Sequence, residues 1–252
     1  MERRMYSARL LGKTLLSESA QCYHLEFDIP EVENFEFEPG QFISMVAKDG
    51  RGKPQTRAYS IASAPRGNRF DLCFDRVDGG FFSNQLADAK PGATVAFHGP
   101  YGLFVLRRPL VDSILIATGT GIAPMRGFIE TLFPSIGEDR CEGKHVWLVY
   151  GARHQSEIYY QHYFEKIAAE HANFHFLPTV SHPHEGWEGL RGNVEMQVKA
   201  LLLDAACLDS SSGNAKPEQA YICGLNDMVA ANRAQLKELG WDRKQIVFER
   251  YD

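Results

Sequence analysis

The sequence predicts a two-domain protein: an N-terminal antiparallel Greek-key β-barrel over residues 1–108, then an α/β doubly wound parallel sheet over residues 109–252. Three observations carry this. Short runs of alternating apolar and polar residues, separated by Gly and Pro turns, fill the chain as far as Arg107-Arg108-Pro109. Beyond that point apolar runs alternate with helical patterns, the rhythm of parallel strands joined by helices. Finally, Ile114-Leu115-Ile116-Ala117 stops abruptly at Thr118-Gly119-Thr120-Gly121, and Pro124 opens a helix. That order is a buried strand, a tight turn, and a helix whose first turn tolerates proline.

In the first part, Tyr23, Leu25 and Phe27 alternate with His24, Glu26 and Asp28, which reads as a half-buried strand. Pro39-Gly40 is a turn, and Gln41 to Val46 a second strand. A polar loop with Gly50, Gly52 and Pro54 leads to the strand Arg57 to Ser63, and Phe70, Leu72 and Phe74 alternate again. Gly79-Gly80 breaks the pattern before a short helix from Ser83 to Ala87. Lys90-Pro91-Gly92 is a turn, Thr94 to Phe97 a strand, and Gly99-Pro100-Tyr101-Gly102 precedes Leu103 to Leu106. In the second part, helices are expected over Met125 to Phe133 and Tyr159 to Glu170. Strands are expected at Val146 to Val149, Phe174 to Leu177, Tyr221 to Cys223 and Ile246 to Phe248. Asn226 is positioned to cap a helix reaching Leu239, and Ser210 to Asn214 reads as a loop.

Composition narrows the function classes. A net charge of −5 gives no reason to expect nucleic acid. No apolar run approaches a membrane span, and Met1-Glu2-Arg3-Arg4 is not followed by the apolar core of a secretory signal. The five cysteines, Cys22, Cys73, Cys141, Cys207 and Cys223, are odd in number and scattered. Their spacing fits thiols in a reducing cytoplasm, and neither zinc nor an iron–sulfur cluster is expected.

Ligands of open α/β sheets bind at the carboxyl ends of the strands. Four such ends stand out: Thr118-Gly119-Thr120-Gly121, Tyr150-Gly151-Ala152-Arg153, Thr179-Val180-Ser181-His182 and Cys223-Gly224-Leu225-Asn226. A helix start after a Gly turn offers free N–H groups to a phosphate, although an ordinary strand-to-helix connection has the same look. The acidic ribose ligand of the ordinary dinucleotide fingerprint is missing, because Arg153 stands at the end of the second strand of this part. In the barrel part, period two puts Arg57 and Tyr59 on one strand face and Ser60 on the other. They supply a phosphate-neutralising cation, a stacking ring and a hydroxyl, or else belong to a plain surface strand. Gly80-Phe81-Phe82-Ser83 reads either as a second phosphate-binding helix start or as a simple cap at Ser83.

Taken in order, these motifs resemble the ferredoxin–NAD(P) reductase family of flavoproteins. The matching pieces are Arg57-Ala58-Tyr59-Ser60-Ile61-Ala62-Ser63, Gly80-Phe81-Phe82-Ser83-Asn84-Gln85-Leu86 and Gly99-Pro100-Tyr101-Gly102-Leu103-Phe104. They continue with Gly119-Thr120-Gly121-Ile122-Ala123-Pro124, Tyr221-Ile222-Cys223-Gly224-Leu225 and Glu249-Arg250-Tyr251. The resemblance implies a barrel that holds a flavin, FAD rather than FMN, and a sheet domain that takes NAD(P)H as substrate. Arg57, with Ala58 beside it, would pair with the flavin pyrophosphate, Tyr59 would pack on the isoalloxazine, and Ser60 would sit near its reactive nitrogen. Gly80, Phe81, Phe82 and Ser83 would supply pyrophosphate donors, and Gly119, Thr120 and Gly121 would receive the nicotinamide nucleotide phosphates. Cys223 and Glu249 would line the nicotinamide site, and Tyr251 would cover the other flavin face and yield to nicotinamide. Ser60, Cys223, Glu249 and Tyr251 are therefore the catalytic candidates.

The chain departs from the family pattern in three places. NADP-preferring relatives carry Arg after the residue matching Ser181, where it grips the 2′-phosphate; His182 stands here. A second basic position falls at Asn193, with Arg191 nearby, and Arg153 is retained as a phosphate ligand. This points to NADH or dual use. The chain also ends in Asp252 where several relatives have a bulky aromatic. The implied activity is electron transfer between NAD(P)H and a ferredoxin or flavodoxin. Two alternatives stand beside it: an NADH-dependent reductase component of an oxygenase system, and a non-catalytic nucleotide-binding electron-transfer subunit.

Overall fold

The computed structural model of the chain describes residues 4–203 and 215–251. Cys207, the loop expected at Ser210 to Asn214, and Asp252 lie outside them. The chain forms two compact units. The first runs to Leu106 and takes in Arg126–Thr131; the second comprises Arg107–Met125 and the residues from Leu132 onward.

The first unit has six strands: β1 (Met5–Ser17), β2 (Cys22–Asp28), β3 (Phe42–Lys48), β4 (Pro54–Ser60), β5 (Arg69–Asp75) and β6 (Thr94–Tyr101). Helix α1 (Phe81–Asp88) lies between β5 and β6 in sequence. The strands pair antiparallel in the order β4-β3-β6-β1-β2-β5, so sequence neighbours β2 and β3, like β5 and β6, are not spatial neighbours. That is Greek-key connectivity rather than a meander. The edges meet through an Ile61–Leu72 bridge, which closes the sheet into a barrel. Its interior is packed with aromatic rings, among them Phe27, Phe35, Phe70 and Phe97.

Strand β1 has no counterpart in the sequence reading. Tyr6, Ala8 and Leu10 turn inward in alternation, but a bulge between Leu10 and Gly12 shifts the register and erases the period-two signal downstream. The half-buried reading of β2 is also corrected: His24 and Asp28 are buried as well as Leu25 and Phe27. On that second face, Asp71 of β5 is 1% exposed. Its carboxylate accepts from the Arg66 guanidinium, and it lies 3.2 Å from Arg126 Nη1 and 3.6 Å from His24 Nε2. The segment Arg126–Thr131 thus covers this face, and Glu130 Oε2 accepts from the Ala64 amide at 2.9 Å.

The second unit is a parallel sheet of β7 (Ser113–Thr118), β8 (Val146–Ala152), β9 (Phe174–Val180), β10 (Leu190–Arg191), β11 (Gln219–Leu225) and β12 (Ile246–Tyr251). The spatial order is β10-β9-β8-β7-β11-β12. Helices α2 (Ile122–Leu132), α3 (Gln161–Glu170), α4 (Val194–Leu203) and α5 (Asn226–Glu238) connect the strands. Ile114, Ile116, Trp147 and Val149 pack against α4 and α5. Phe164 of α3 meets Phe174 and Phe176 of β9. Near-continuous apolar strands such as Ile114-Leu115-Ile116-Ala117 follow from burial on both faces.

Helix bounds shift for local reasons. A 3₁₀ turn spans Gly119–Gly121 and α2 already begins at Ile122, so Pro124 sits in its first turn, where a missing N–H costs nothing. Helix α3 begins at Gln161 because Tyr160 is left-handed, with φ 59°. Asn226 is the first residue of α5 and not its cap; Leu225 holds that position in an extended conformation. Strand β10 and helix α4 were not expected from the sequence. Among the described residues, no helix is long and apolar enough to cross a membrane.

Candidate functional site

In the first unit, β4 presents Arg57 and Ala58 to solvent, Tyr59 half-buried and Ser60 buried. The Tyr59 ring packs edge-on against Phe74 at a centroid distance of 6.0 Å. Burial pushes the Tyr59 phenol up to about 12, against the pull of the Arg57 guanidinium. The ring is therefore neutral at physiological pH, with a cation beside it. Phe74 lies near the end of β5, and the chain then turns through Val77 to Gly80 into α1. Tyr59 and Phe81 pack on the same barrel core.

The start of α1 corrects one expectation in part. Ser83 does not cap the helix: it is the third helical residue, and its Oγ accepts from the Val77 amide at 3.1 Å. The Gly80 N–H is already donated to the Val77 carbonyl at 2.9 Å. The first-turn donors left by helix geometry are the amides of Phe81, Phe82 and Ser83. A Cβ on Gly80 would stand 2.3 Å from Ser83 Oγ and 3.0 Å from the Val77 carbonyl oxygen, so a larger residue would have to displace the Ser83 hydroxyl from this tight entry. No acidic side chain occupies the first turn of α1 to oppose an anion. A guanidinium, a neutral phenol ring, a hydroxyl and helix-start amides in one unit fit the chemistry of a flavin with a pyrophosphate tail.

In the second unit, the chain leaves β7 toward β8 on one side and later returns to place β11 on the other. The crevice outside the carboxyl ends of β7 and β11 is a topological switch point, the ligand position of open α/β sheets. Gly119-Thr120-Gly121 and Cys223-Gly224 occupy those ends. The two glycines of the turn differ. Gly119 has φ +52°, and a Cβ there would meet nothing within 4 Å, so it faces open space. Gly121 faces protein instead, because its Cβ would lie 2.2 Å from the Cys223 carbonyl oxygen. Tyr150, singled out from the sequence only as part of a strand end, donates its hydroxyl to the Gly119 carbonyl at 3.0 Å.

Cys223 is completely buried, and the Tyr251 hydroxyl hydrogen-bonds its thiol. Burial, reinforced by the negative charge of Glu249, pushes that thiol up, so it stays protonated. The parallel register sets Cys223 beside Glu249 and Leu225 beside Tyr251. Arg153 and Ser181 are exposed at the next strand ends. The Ser181 amide donates to the Ala152 carbonyl at 3.0 Å and the His182 amide to the Arg153 carbonyl at 2.9 Å, which extends pairing past β8 and β9. Next to them lies a cavity of about 710 Å³ lined by His154, His162, His182 and His184. Only His182 among these had been singled out from the sequence. The crowding of six histidines between positions 154 and 184, four of which line this cavity, was the missed signal.

Comparison with known proteins agrees with this arrangement. Residues 7–106 match the oxidoreductase FAD-binding domain, and residues 115–234 match the oxidoreductase NAD-binding domain. The ferredoxin–NADP reductase B of Sorangium cellulosum is 36% identical over 98% of this chain and 98% of its own length. The reductase component DmpP of phenol 2-monooxygenase from Pseudomonas sp. strain CF600 is 30% identical, over 94% of this chain and 62% of its own. In fold, a ferredoxin–NADP⁺ reductase from Neisseria gonorrhoeae, solved with FAD and NADP, superposes with a TM-score of 0.80 at 21% identity over 99% of both chains. The chain belongs to the ferredoxin–NADP reductase family of FAD- and NAD-binding oxidoreductases, which also includes reductase components of oxygenase systems.

Proposed function

We propose that this chain passes electrons between NAD(P)H and a one-electron carrier, a ferredoxin, a flavodoxin or an oxygenase component. In this reading residues 1–108 bind FAD, residues 109–252 bind the nicotinamide nucleotide, and the protein works in the cytoplasm. The observation that carries it is the Gly119 turn, open to solvent at positive φ, at the switch point of a parallel sheet. The family membership supports the same reading, and the unpaired thiols of Cys22, Cys73, Cys141 and Cys223 fit a reducing compartment.

Bound flavin supplies the exchange between a two-electron hydride and single electrons. The chain's own groups bind and orient. Arg57 neutralises the pyrophosphate, and the amides of Phe81, Phe82 and Ser83 donate to it. The neutral Tyr59 ring, with Ala58 alongside, offers a flat apolar surface for the isoalloxazine. Ser60 Oγ and the Glu249 carboxylate are the groups able to hold or pass a proton. Gly119, Thr120 and Gly121 receive the nicotinamide nucleotide phosphates, Arg153 and Ser181 its adenosine end. The protonated Cys223 thiol acts by packing and hydrogen bonding rather than as a nucleophile. Tyr251 covers the other flavin face until nicotinamide enters.

The similarity to DmpP and the replacement of the expected arginine by His182 favour one second reading, an NADH-using oxygenase reductase component. The test is the visible spectrum of the purified protein, followed by ferricyanide reduction with NADH and with NADPH, then by ferredoxin against flavodoxin as acceptor. A yellow protein that oxidises either nucleotide is expected. A colourless protein that takes up neither FAD nor FMN overturns the proposal, and a yellow protein without turnover leaves the non-catalytic subunit.

A further inference from the structure

Helix α1 carries the candidate pyrophosphate amides at its start, yet its own sequence does little to hold it in place. At eight residues it is too short to be stable alone. Its last turn has no basic residue and ends in Asp88, a carboxylate at the negative end of the helix. Arg76 pairs with Asp88 at 3.0 Å and donates to Asn84 Oδ1 at 2.7 Å, which meets that acid but leaves the terminal carbonyls to other donors.

The donor comes from β1. Lys13 Nζ donates to the Ala87 carbonyl and, at 2.8 Å, to the Ala89 carbonyl. A cation with two hydrogen bonds thus meets the carboxyl end of α1 from a strand 74 residues earlier in the chain. The same ammonium stands 5.7 Å from the centroid of the Tyr23 ring, within cation–π reach. Tyr23 faces Phe74 in register across β2 and β5, and their rings stack at 5.8 Å. Phe74 is the ring against which Tyr59 packs edge-on. One side chain therefore touches both the far end of the helix and the last ring in the row behind Tyr59.

The bulge in β1 brings Lys13 to this place. Residues directly opposite on antiparallel strands share a sheet face. Leu10 lies opposite Phe27 and Lys13 opposite Leu25, and both partners are core residues. In a regular strand Leu10 and Lys13, an odd number of positions apart, would point to opposite faces. The extra residue at the bulge cancels that difference and turns Lys13 to the inner face, the one on which Phe82, Leu86 and Ala87 of α1 pack.

We infer that Lys13 is a positioning residue for the flavin: it fixes α1 so that the Phe81, Phe82 and Ser83 amides meet the pyrophosphate, and it braces the ring row behind Tyr59. The inference deepens the proposed function and rests on its placement of the flavin in the barrel unit. Lys13 acts through the helix and the rings rather than by touching the cofactor. Its cation answers the negative pole of α1, and the bound anion answers the positive one.

The test uses the full flavin-loaded chain, as wild type and carrying Lys13→Met, Lys13→Arg or Leu10→Val. Flavin fluorescence on serial dilution gives the FAD dissociation constant, visible circular dichroism reports how the bound ring is held, and thermal unfolding reports stability. Lys13→Met keeps most of the apolar stem and removes the charge. It should raise the FAD dissociation constant by roughly tenfold and alter the visible circular dichroism. Lys13→Arg keeps a cationic donor and should bring both readings back toward wild type. Leu10→Val trims the core on the same strand, so it should lower stability while both flavin readings stay as in wild type. Either flavin reading at its wild-type value in Lys13→Met overturns the inference. So does a Lys13→Arg protein no better than Lys13→Met, or a Leu10→Val protein that loses flavin to the same degree, since stability alone then accounts for the loss. In each of these cases the wild-type protein still holds FAD, and the flavin site stands. A wild-type protein that takes up no flavin brings down the site and the inference together.

Discussion

The two glycines of the Gly119-Thr120-Gly121 turn should fail differently when each is replaced by alanine. At Gly121 the new methyl would sit 2.2 Å from the Cys223 carbonyl oxygen and 2.6 Å from its carbon, both backbone atoms of β11. Backbone cannot rotate aside, so the end of β11 must retreat by about 1 Å to restore ordinary contact, at an overpacking cost of about 1–3 kcal/mol. For a chain of this size that lowers the melting temperature by about 2–4 °C per kcal/mol. At Gly119 the methyl meets nothing within 4 Å, and the cost is only that of holding alanine at φ +52°, about 1 kcal/mol. Its methyl, however, projects into the space where a phosphate would approach the main chain. Gly119→Ala should therefore retain most of its stability and lose nucleotide affinity by at least roughly tenfold, the smallest loss one displaced phosphate contact would give. Gly121→Ala should lose both. Thermal unfolding beside NADP⁺ and NAD⁺ titration separates the two. Unchanged nucleotide affinity in Gly119→Ala refutes the phosphate position, and unchanged stability in Gly121→Ala refutes the packing argument.

Three further outcomes follow from the geometry. Arg57→Ala should weaken flavin retention by roughly ten- to hundredfold, the range of a lost charged hydrogen bond; wild-type visible absorbance after gel filtration would count against the pyrophosphate role. Tyr251→Ser removes the ring proposed to compete with nicotinamide for one flavin face and should tighten nicotinamide nucleotide binding, which equal dissociation constants for mutant and wild type would disprove. The His24 imidazole is held down to about 4, first by burial and then by the Arg126 and Arg66 charges. Asp71 at 3.6 Å would favour the charged ring, but those same two arginines already offset its carboxylate, so burial prevails. The folded value lies below the unfolded value of about 6.5, so its stabilisation is complete above pH 6.5 and is lost as pH falls toward 4, by about 3 kcal/mol in all. Urea unfolding of wild type and His24→Gln across that window checks it, and parallel acid limbs in the two proteins would rule it out.

Local signals carried much of the site in the sequence. The Gly119 turn, Arg57 to Ser60 and Gly80 to Ser83 each join a turn or strand pattern to chemistry that neighbouring residues can reveal. Pairings between distant positions could not be read that way. Asp71 looks like an exposed strand residue until Arg66, Arg126 and His24 converge on it. The face of β2 bearing His24 looks polar for the same reason, although Arg126–Thr131 covers it. Strand β1 was hidden by its bulge, and β10, at two residues, is too short to show a period. Gly80 and Gly121 show a subtler limit. The sequence marks them as small, but only the fold reveals that their missing side chains make room for the protein itself, whereas that of Gly119 leaves an opening.

Because the barrel unit takes in Arg126–Thr131, its chain is not contiguous. A gene fragment stopped after residue 108 would encode every strand of the barrel yet omit Arg126, Phe128 and Glu130. Asp71 would then keep only Arg66 of the two arginines paired with it among the described residues, the Ala64 amide would lose its acceptor, and Phe104 would lose the tilted Phe128 ring whose centroid lies 5.5 Å away. Such a truncation should express as an aggregating species. Appending the helix through a flexible tether, or permuting the chain so that this helix follows the last barrel strand, is the rational way to obtain a separable flavin module.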